Sequence, residues 1–276
     1  MNTRDKGLEN AVATNPNDQA IPDVQSTIDT RHIAIQSVGI RSVKYPVLIE
    51  LQGQKPMPSV AEFEMTVFLP ADQKGTHMSR FIALLEEQQG AVLTVSGFRA
   101  MLVDMLQRLG APSGRIKMEL PYFLSKVAPI SGVSSLMDYQ LTLEGSANEQ
   151  GQDIYLTVVV PVTSLCPCSK KISEYGAHNQ RSHVTARVQL KDDVDIAQFI
   201  SAIEQQASCE LYGLLKRPDE KYVTERAYDN PKFVEDLVRD VAIAMNKFTQ
   251  VGQYTVEAEN FESIHNHSAY ARIDRA

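Results

Sequence analysis

In residues 43–51, VKYPVLIEL, and 61–70, AEFEMTVFLP, β-branched and aromatic side chains alternate in part with polar ones, the spacing of strands with one buried face. QGQKPMPS between them carries the Gly and Pro of a hairpin or connecting loop. The period then changes. In 76–89, Met78, Phe81, Ile82, Leu84 and Leu85 recur close to helical spacing; Phe98, Met101, Leu102, Met105 and Leu109 do the same in 96–110, which stops at Gly110. Strand-like patterns return at 116–130 and 134–145, so the first half predicts β-β-α-α-β-β.

The second half repeats that order without repeating the sequence. Strands are expected at 152–164 and 182–190, separated by a longer polar insert, and a helix at 195–208. A second helix is expected over 230–248, with Asn230 as N-cap and Pro231 in the first turn. Residues 253–263 and 267–273 supply the last strands. Two four-stranded antiparallel sheets, each covered on one face by a helix pair, would satisfy this order: an α+β class. Such sheets leave edges that want pairing, and closure into an oligomeric barrel would remove them. The expected divisions are a flexible tail over 1–28, a first module over 29–150 and a second over 151–276.

Composition narrows the function. With 43% hydrophobic residues in 276, the core needs no disulfide or structural metal to form, so metal-like constellations read as functional. The net charge of -7 argues against nonspecific nucleic-acid binding. No apolar run approaches the roughly 20 residues of a membrane span. The polar N-terminus carries no apolar signal core, and the three cysteines, at 166, 168 and 209, are an odd count. Together these predict a cytoplasmic protein.

Candidate chemistry concentrates in three segments. TSLCPCSKKISEYGAHNQRSH, 163–183, holds Cys166, Cys168, His178 and His183 between two strands. Pro167 restricts the backbone between the thiols, so one of them is expected to face a metal and the other elsewhere. AENFESIHNHSAY, 258–270, gathers Glu259, Glu262, His265 and His267 in a chain with six histidines. Residues 209–240 form a charged, Gly- and Pro-containing stretch between helices, with Glu220 in the connection and Glu235 early in the following helix. Thiolate, imidazole and carboxylate together suit Zn²⁺ or another late divalent first-row metal, and leave Mn²⁺ or Fe²⁺ compatible. An open position on such a metal would polarise water, while Lys170, Lys171, Arg181 and Arg187 would hold phosphates. This reaches a metal hydrolase acting on an anionic substrate, and no further.

SLCPCSK at 164–170, GAHNQRSHV at 176–184, ELYGLLKRPDEKYVTE at 210–225 and ENFESIHNHSAY at 259–270 resemble the type IB GTP cyclohydrolase family. DVQSTIDTRHIAIQSVGI, 23–40, resembles its opening segment, so the likeness covers residues 23–276. The resemblance implies the tunnelling fold, with two tandem ββααββ modules and barrels closed by oligomerisation, here as a homotetramer of paired dimers. It implies hydrolysis of GTP to formate and 7,8-dihydroneopterin triphosphate, at the entrance of tetrahydrofolate synthesis.

The family's metal positions fall on Cys166, His178, Glu220 and His265, for one divalent ion per site, Zn²⁺ or Mn²⁺. Glu235 matches the position that anchors the guanine edge, and Lys170, Arg181 and His183 stand with it on the substrate side. Cys166, Cys168, Glu262 and His267 are the implied catalytic group, Glu262 and His267 for proton transfer and Cys168 without a settled role. Two rivals share the fold: a nitrile reductase with a nucleophilic cysteine and NADPH, and a noncatalytic pterin- or purine-binding protein.

Overall fold

The computed structural model describes residues 23–276, Ser26 excepted. Most of the expected tail, residues 1–22, therefore lies outside the described residues. Its end is docked: Asp29 N–H donates to Asp72 O at 2.9 Å and Lys74 N–H to Thr27 O at 3.2 Å.

Strands β1 (Ile35–Ile49) and β2 (Met57–Leu69) form an antiparallel pair. Helix α1 (Met78–Glu87), the short strand β3 (Val92–Leu93) and helix α2 (Val95–Leu109) follow. Thr94 Oγ1 caps α2 by accepting from Gly97 N–H at 3.0 Å, and Gly110 ends it in the left-handed region, φ 59°, where glycine carries no Cβ penalty. Strands β4 (Gly114–Val127) and β5 (Ser134–Asn148) complete the first half.

In the second half β6 (Gly151–Leu165) leads through a one-turn-and-a-half helix α3 (Pro167–Ile172) to β7 (Asn179–Leu190). Then come α4 (Ile196–Glu204), β8 (Cys209–Glu210), α5 (Arg217–Asp229), α6 (Val234–Met245), β9 (Val251–Asn260) and β10 (Ala269–Arg275).

The strands make one mixed sheet in the order β10-β9-β7-β6-β5-β4-β2-β1-β3, with β8 beside β6. Every pairing is antiparallel except β1 with β3. The two expected sheets thus run on as one, through the β5–β6 pairing that begins at Asn148 and Gly151. Alternation decides which face is covered. Ile154, Leu156, Val158, Val160 and Val162 of β6 and Val184, Ala186 and Val188 of β7 are buried on one side, where α4 and α6 bring Phe199, Ile203, Leu237 and Val241.

Two local expectations are corrected. The stretch 209–240 is not simply a charged link: α5 occupies its middle, and Glu220 is helical. Nor does Asn230 start the last helix. It ends α5, with its side chain donating to Ala207 O at 2.8 Å, and α6 begins four residues later at Val234.

Candidate active site

The covered face of the sheet changes character at one end. Along β6, β7 and β9 the buried aliphatic rows give way to Ser164, Gln180, Ser182 and Asn260, all buried. Ser164 and Ser182 hydroxyls lie 2.6 Å apart across the β6–β7 pair, and Gln180 Nε2 donates to Ser164 Oγ at 3.2 Å. The polar row is bonded largely to itself, although Asn260 Oδ1 has no hydrogen-bond partner among the described residues. Cys166 and His178 sit where this row reaches solvent.

These two residues flank the last rung of the β6–β7 ladder, Leu165 with Asn179. Cys166 N–H donates to His178 O at 3.2 Å, which ties their backbones together. Pro167 takes the first position of α3 and leaves Cys166 as its N-cap, with Sγ accepting from Ser169 N–H at 3.5 Å. Cys168 therefore lies one step into the helix and is exposed, whereas Cys166 is half-buried. The two thiols do not occupy equivalent positions. The third cysteine, Cys209, is buried; burial, with the neighbouring Glu210 carboxylate, pushes its thiol up to about 11 and makes it a poor nucleophile.

His178 Nδ1 lies 3.0 Å from Gln180 Oε1 and 3.3 Å from Ser263 Oγ. That second contact brings the turn after β9 to the same place. On this turn Glu262 is half-buried, while His265 and His267 are exposed and stack with ring centroids 5.0 Å apart. Lys232 N–H donates to Leu165 O at 3.1 Å, which anchors the start of α6 next to Cys166; Glu235, exposed, follows in the first turn. Lys170 of α3 reaches α5, bonding Tyr228 O with its Nζ 4.2 Å from the Tyr228 ring centroid.

Other expected members stand apart. Arg181 and His183 alternate with the buried Gln180 and Ser182, so they project from the opposite face of β7. His183 packs edge-on against Phe261 at 4.9 Å, opposite Glu259 in the β7–β9 register. Glu220 is exposed in the first turn of α5, eight residues or about 12 Å of helix from Tyr228. Its neighbour Asp219 is the buried acid. Burial would raise the Asp219 carboxyl, but donors from Ser131, Lys216 and Ile130 outweigh it and hold the group far below the usual carboxylate range.

Among the described residues no group of three or more His, Cys, Asp or Glu side chains converges closely enough to hold a metal ion. In donor type Cys166 and His178 fit a late first-row cation; in donor number the single chain falls short. The residues missed by the sequence reading are Gln180, Ser164, Ser182 and Ser263. The signal for Gln180 and Ser182 was the period-2 row 178, 180, 182 running into the apolar 184, 186, 188, and for Ser164 the apolar row 154, 156, 158, 160, 162 that ends on it.

Fold and site define an α+β protein in which a cysteine and a histidine, joined through their backbones, stand at one end of a covered, largely antiparallel sheet. The family model described as "Type I GTP cyclohydrolase folE2" matches residues 21–271, and the chain belongs to that family. A GTP cyclohydrolase FolE2 of Burkholderia vietnamiensis is 60% identical over 255 residues, 92% of this chain and 94% of that one. Another, from a Janthinobacterium species, is 60% identical over 275 residues, 99% of this chain and 98% of that one. Among solved structures, uricase from Arthrobacter globiformis covers 87% of this chain and 93% of its own at TM-score 0.48 and 9% identity, too distant a likeness to speak for activity or assembly. Among the described residues no helix is long and apolar enough to cross a membrane.

Proposed function

We propose that the open end of β6 and β7 is where this GTP cyclohydrolase of folate biosynthesis opens the guanine ring. The observation that supports the placement is the backbone tie between Cys166 and His178, with the Ser263 turn against the same imidazole. Cys166 Sγ and the His178 ring would hold one divalent cation, Zn²⁺ or Mn²⁺, with a further donor from His265, two residues beyond Ser263, or from Glu220. When bound, that ion supplies Lewis-acid activation of water.

The remaining work falls to the chain's own groups. Glu235 accepts hydrogen bonds from the guanine ring N–H and exocyclic amine, a bidentate match that selects the base. Water adds at C8, the imidazole portion opens to a formamide, and a second water releases formate. Glu262 and His267 move protons at N7 and at the departing nitrogen. Ribose rearrangement and ring closure, in which the amine condenses on the sugar carbonyl and expels one water, then give 7,8-dihydroneopterin triphosphate. Lys170 balances the triphosphate once it releases Tyr228 O, whereas Arg181 and His183, on the opposite face of β7, would meet only substrate held by another copy in the assembly.

The assembly follows from the edges. Among the described residues β1 is covered on its outer side only at Leu48 and Ile49, by β3, and β10 ends the sheet at the other side. Unpaired edges favour pairing with another copy, so modules 29–150 and 151–276 would close a tunnelling-fold barrel within a tetramer of paired dimers. Sedimentation of the active protein checks this, and a fully active monomer excludes it. For the activity, the purified chain is reconstituted with Zn²⁺ or Mn²⁺ and given GTP, with formate and pterin fluorescence followed together. Production of neither by the metal-loaded protein sinks the reading.

A further inference from the structure

Gln180 is a buried amide with two defined partners, Ser164 Oγ on its nitrogen side and His178 Nδ1 on its oxygen side. Ser164 is in turn held against Ser182 at 2.6 Å. These three polar residues lie on adjacent strands in fixed register, Ser164 opposite Gln180 and Val162 opposite Ser182. In the orientation the row adopts here, the Gln180 amide nitrogen faces a hydroxyl that can accept and its oxygen faces the imidazole, so every member is paired.

The oxygen of an amide can only accept. With the amide turned this way, Gln180 Oε1 at 3.0 Å pairs with a protonated His178 Nδ1, and Ser263 Oγ at 3.3 Å shares the same nitrogen as a second partner. The lone pair is then confined to Nε2, the nitrogen that neither Gln180 nor Ser263 contacts. We infer that Gln180 is a positioning residue: it fixes the Nδ1–H tautomer of His178 and so presents Nε2 as the metal-binding nitrogen before any ion arrives. Ser164, itself bonded to Ser182, holds the other end of the Gln180 amide. The inference rests on the reading of His178 as a metal ligand, and its tests separate the two.

The first measurement needs no metal. In the metal-free protein at about pH 8.5, where a free imidazole is neutral, the nitrogen shifts of His178, assigned by their loss in His178→Ala, report the tautomer. The expected result is protonated Nδ1 and unprotonated Nε2. A protonated Nε2 overturns the inference, since Gln180 would then be turned to donate.

The second measurement is Zn²⁺ affinity by competition with a chromophoric chelator. Gln180→Met keeps the volume and removes the acceptor; the tautomer should become mixed and affinity should fall about 10–100-fold, the usual effect of removing the partner of a ligating histidine. Gln180→Glu keeps an acceptor on Nδ1 and should retain both the Nδ1–H tautomer and tight binding, which a merely structural role for Gln180 would not predict. If His178→Ala loses Zn²⁺ while Gln180→Met keeps both tautomer and affinity, the positioning role alone fails. If His178→Ala binds Zn²⁺ as tightly as the parent, the ligand reading fails and the metal half of this inference with it. Should Gln180→Met not fold, the parent tautomer and Gln180→Glu still decide.

Discussion

The amide of Cys166 donates to the carbonyl of His178 at 3.2 Å, one step beyond the last rung that joins β6 to β7. The two residues proposed as metal ligands are thereby tied to each other by backbone at the end of the β6–β7 pair. Cys168, on the first turn of α3, has no such tie and is exposed. Cys166→Ser should stay folded, because the aliphatic core does not depend on metal, yet lose bound metal and GTP turnover, with added Zn²⁺ restoring little. Cys168→Ser should keep more metal. Metal content and formate release measured on both variants check this; the reverse pattern assigns the ligand to the other thiol.

Glu235 stands in the first turn of α6, whose start is pinned to Leu165 O by Lys232 N–H. Glu235→Gln keeps the side-chain volume but turns one acceptor into a donor, which opposes the guanine amine. GTP affinity should fall by about 1.5–3 kcal/mol, the range for a hydrogen bond to a charged group, while fold and metal content persist. Unchanged affinity in a direct titration removes Glu235 from base recognition.

Asp219 accepts from Ile130 N–H and Ser131 N–H at 2.8 Å each, from Ser131 Oγ at 2.6 Å and from Lys216 N–H at 2.8 Å. It thus joins the start of α5 to the β4–β5 turn. Its carboxyl is depressed on folding, so its contribution is complete above the unfolded carboxylate value and is lost as pH falls toward the lower folded one. Asp219→Ala should lower Tm at pH 7, and the gap to the parent should narrow below about pH 4. A gap independent of pH would mean that the ionised form is not what matters.

These cases also show what the sequence could and could not reveal. α2 was legible at 96–110 and is found at Val95–Leu109 because Phe98, Met101, Leu102 and Met105 form an apolar stripe. α5 was not, since its buried residues are Asp219 and Ala227 and it has no stripe to detect. Pro218 and Asp219 at its start were the available signal, and they read equally well as a charged turn. Likewise 166 and 178 could be singled out by chemistry, but their adjacency depends on α3 closing the gap between β6 and β7. The sidedness that separates Arg181 and His183 from His178 follows from alternation alone, once the start of β7 is known to be Asn179 rather than Ser182.

Half-buried Lys126 and buried Glu204 join β4 to α4 beneath the helix layer. Lys126 Nζ lies 2.8 Å from Glu204 Oε1 and donates to Leu211 O at 2.6 Å, while Tyr139 Oη donates to the same Glu204 oxygen at 2.9 Å. Burial pushes the Glu204 carboxyl up, opposed by the Lys126 charge and its hydrogen bond. Lys126→Met removes the cation and leaves the acid in a dry site, which should cost about 3–5 kcal/mol at pH 7. With its counter-charge gone, the Glu204 carboxyl rises further. A carboxyl whose folded value lies above its unfolded one favours folding in acid and loses that advantage as pH rises through the window between the two. The variant should therefore be least impaired near pH 4 and lose stability toward neutrality, the same direction as Asp219→Ala but from a stranded carboxylate rather than a lost one. Lys126→Met combined with Glu204→Leu removes the stranded charge and should recover much of the loss, leaving mainly the cost of the freed Tyr139 hydroxyl and Leu211 carbonyl. Urea unfolding of the single and double variants at pH 4 and pH 7 measures all of this. A double variant no more stable than Lys126→Met at pH 7 would show that the lysine stem, and not its charge, is what the fold needs there.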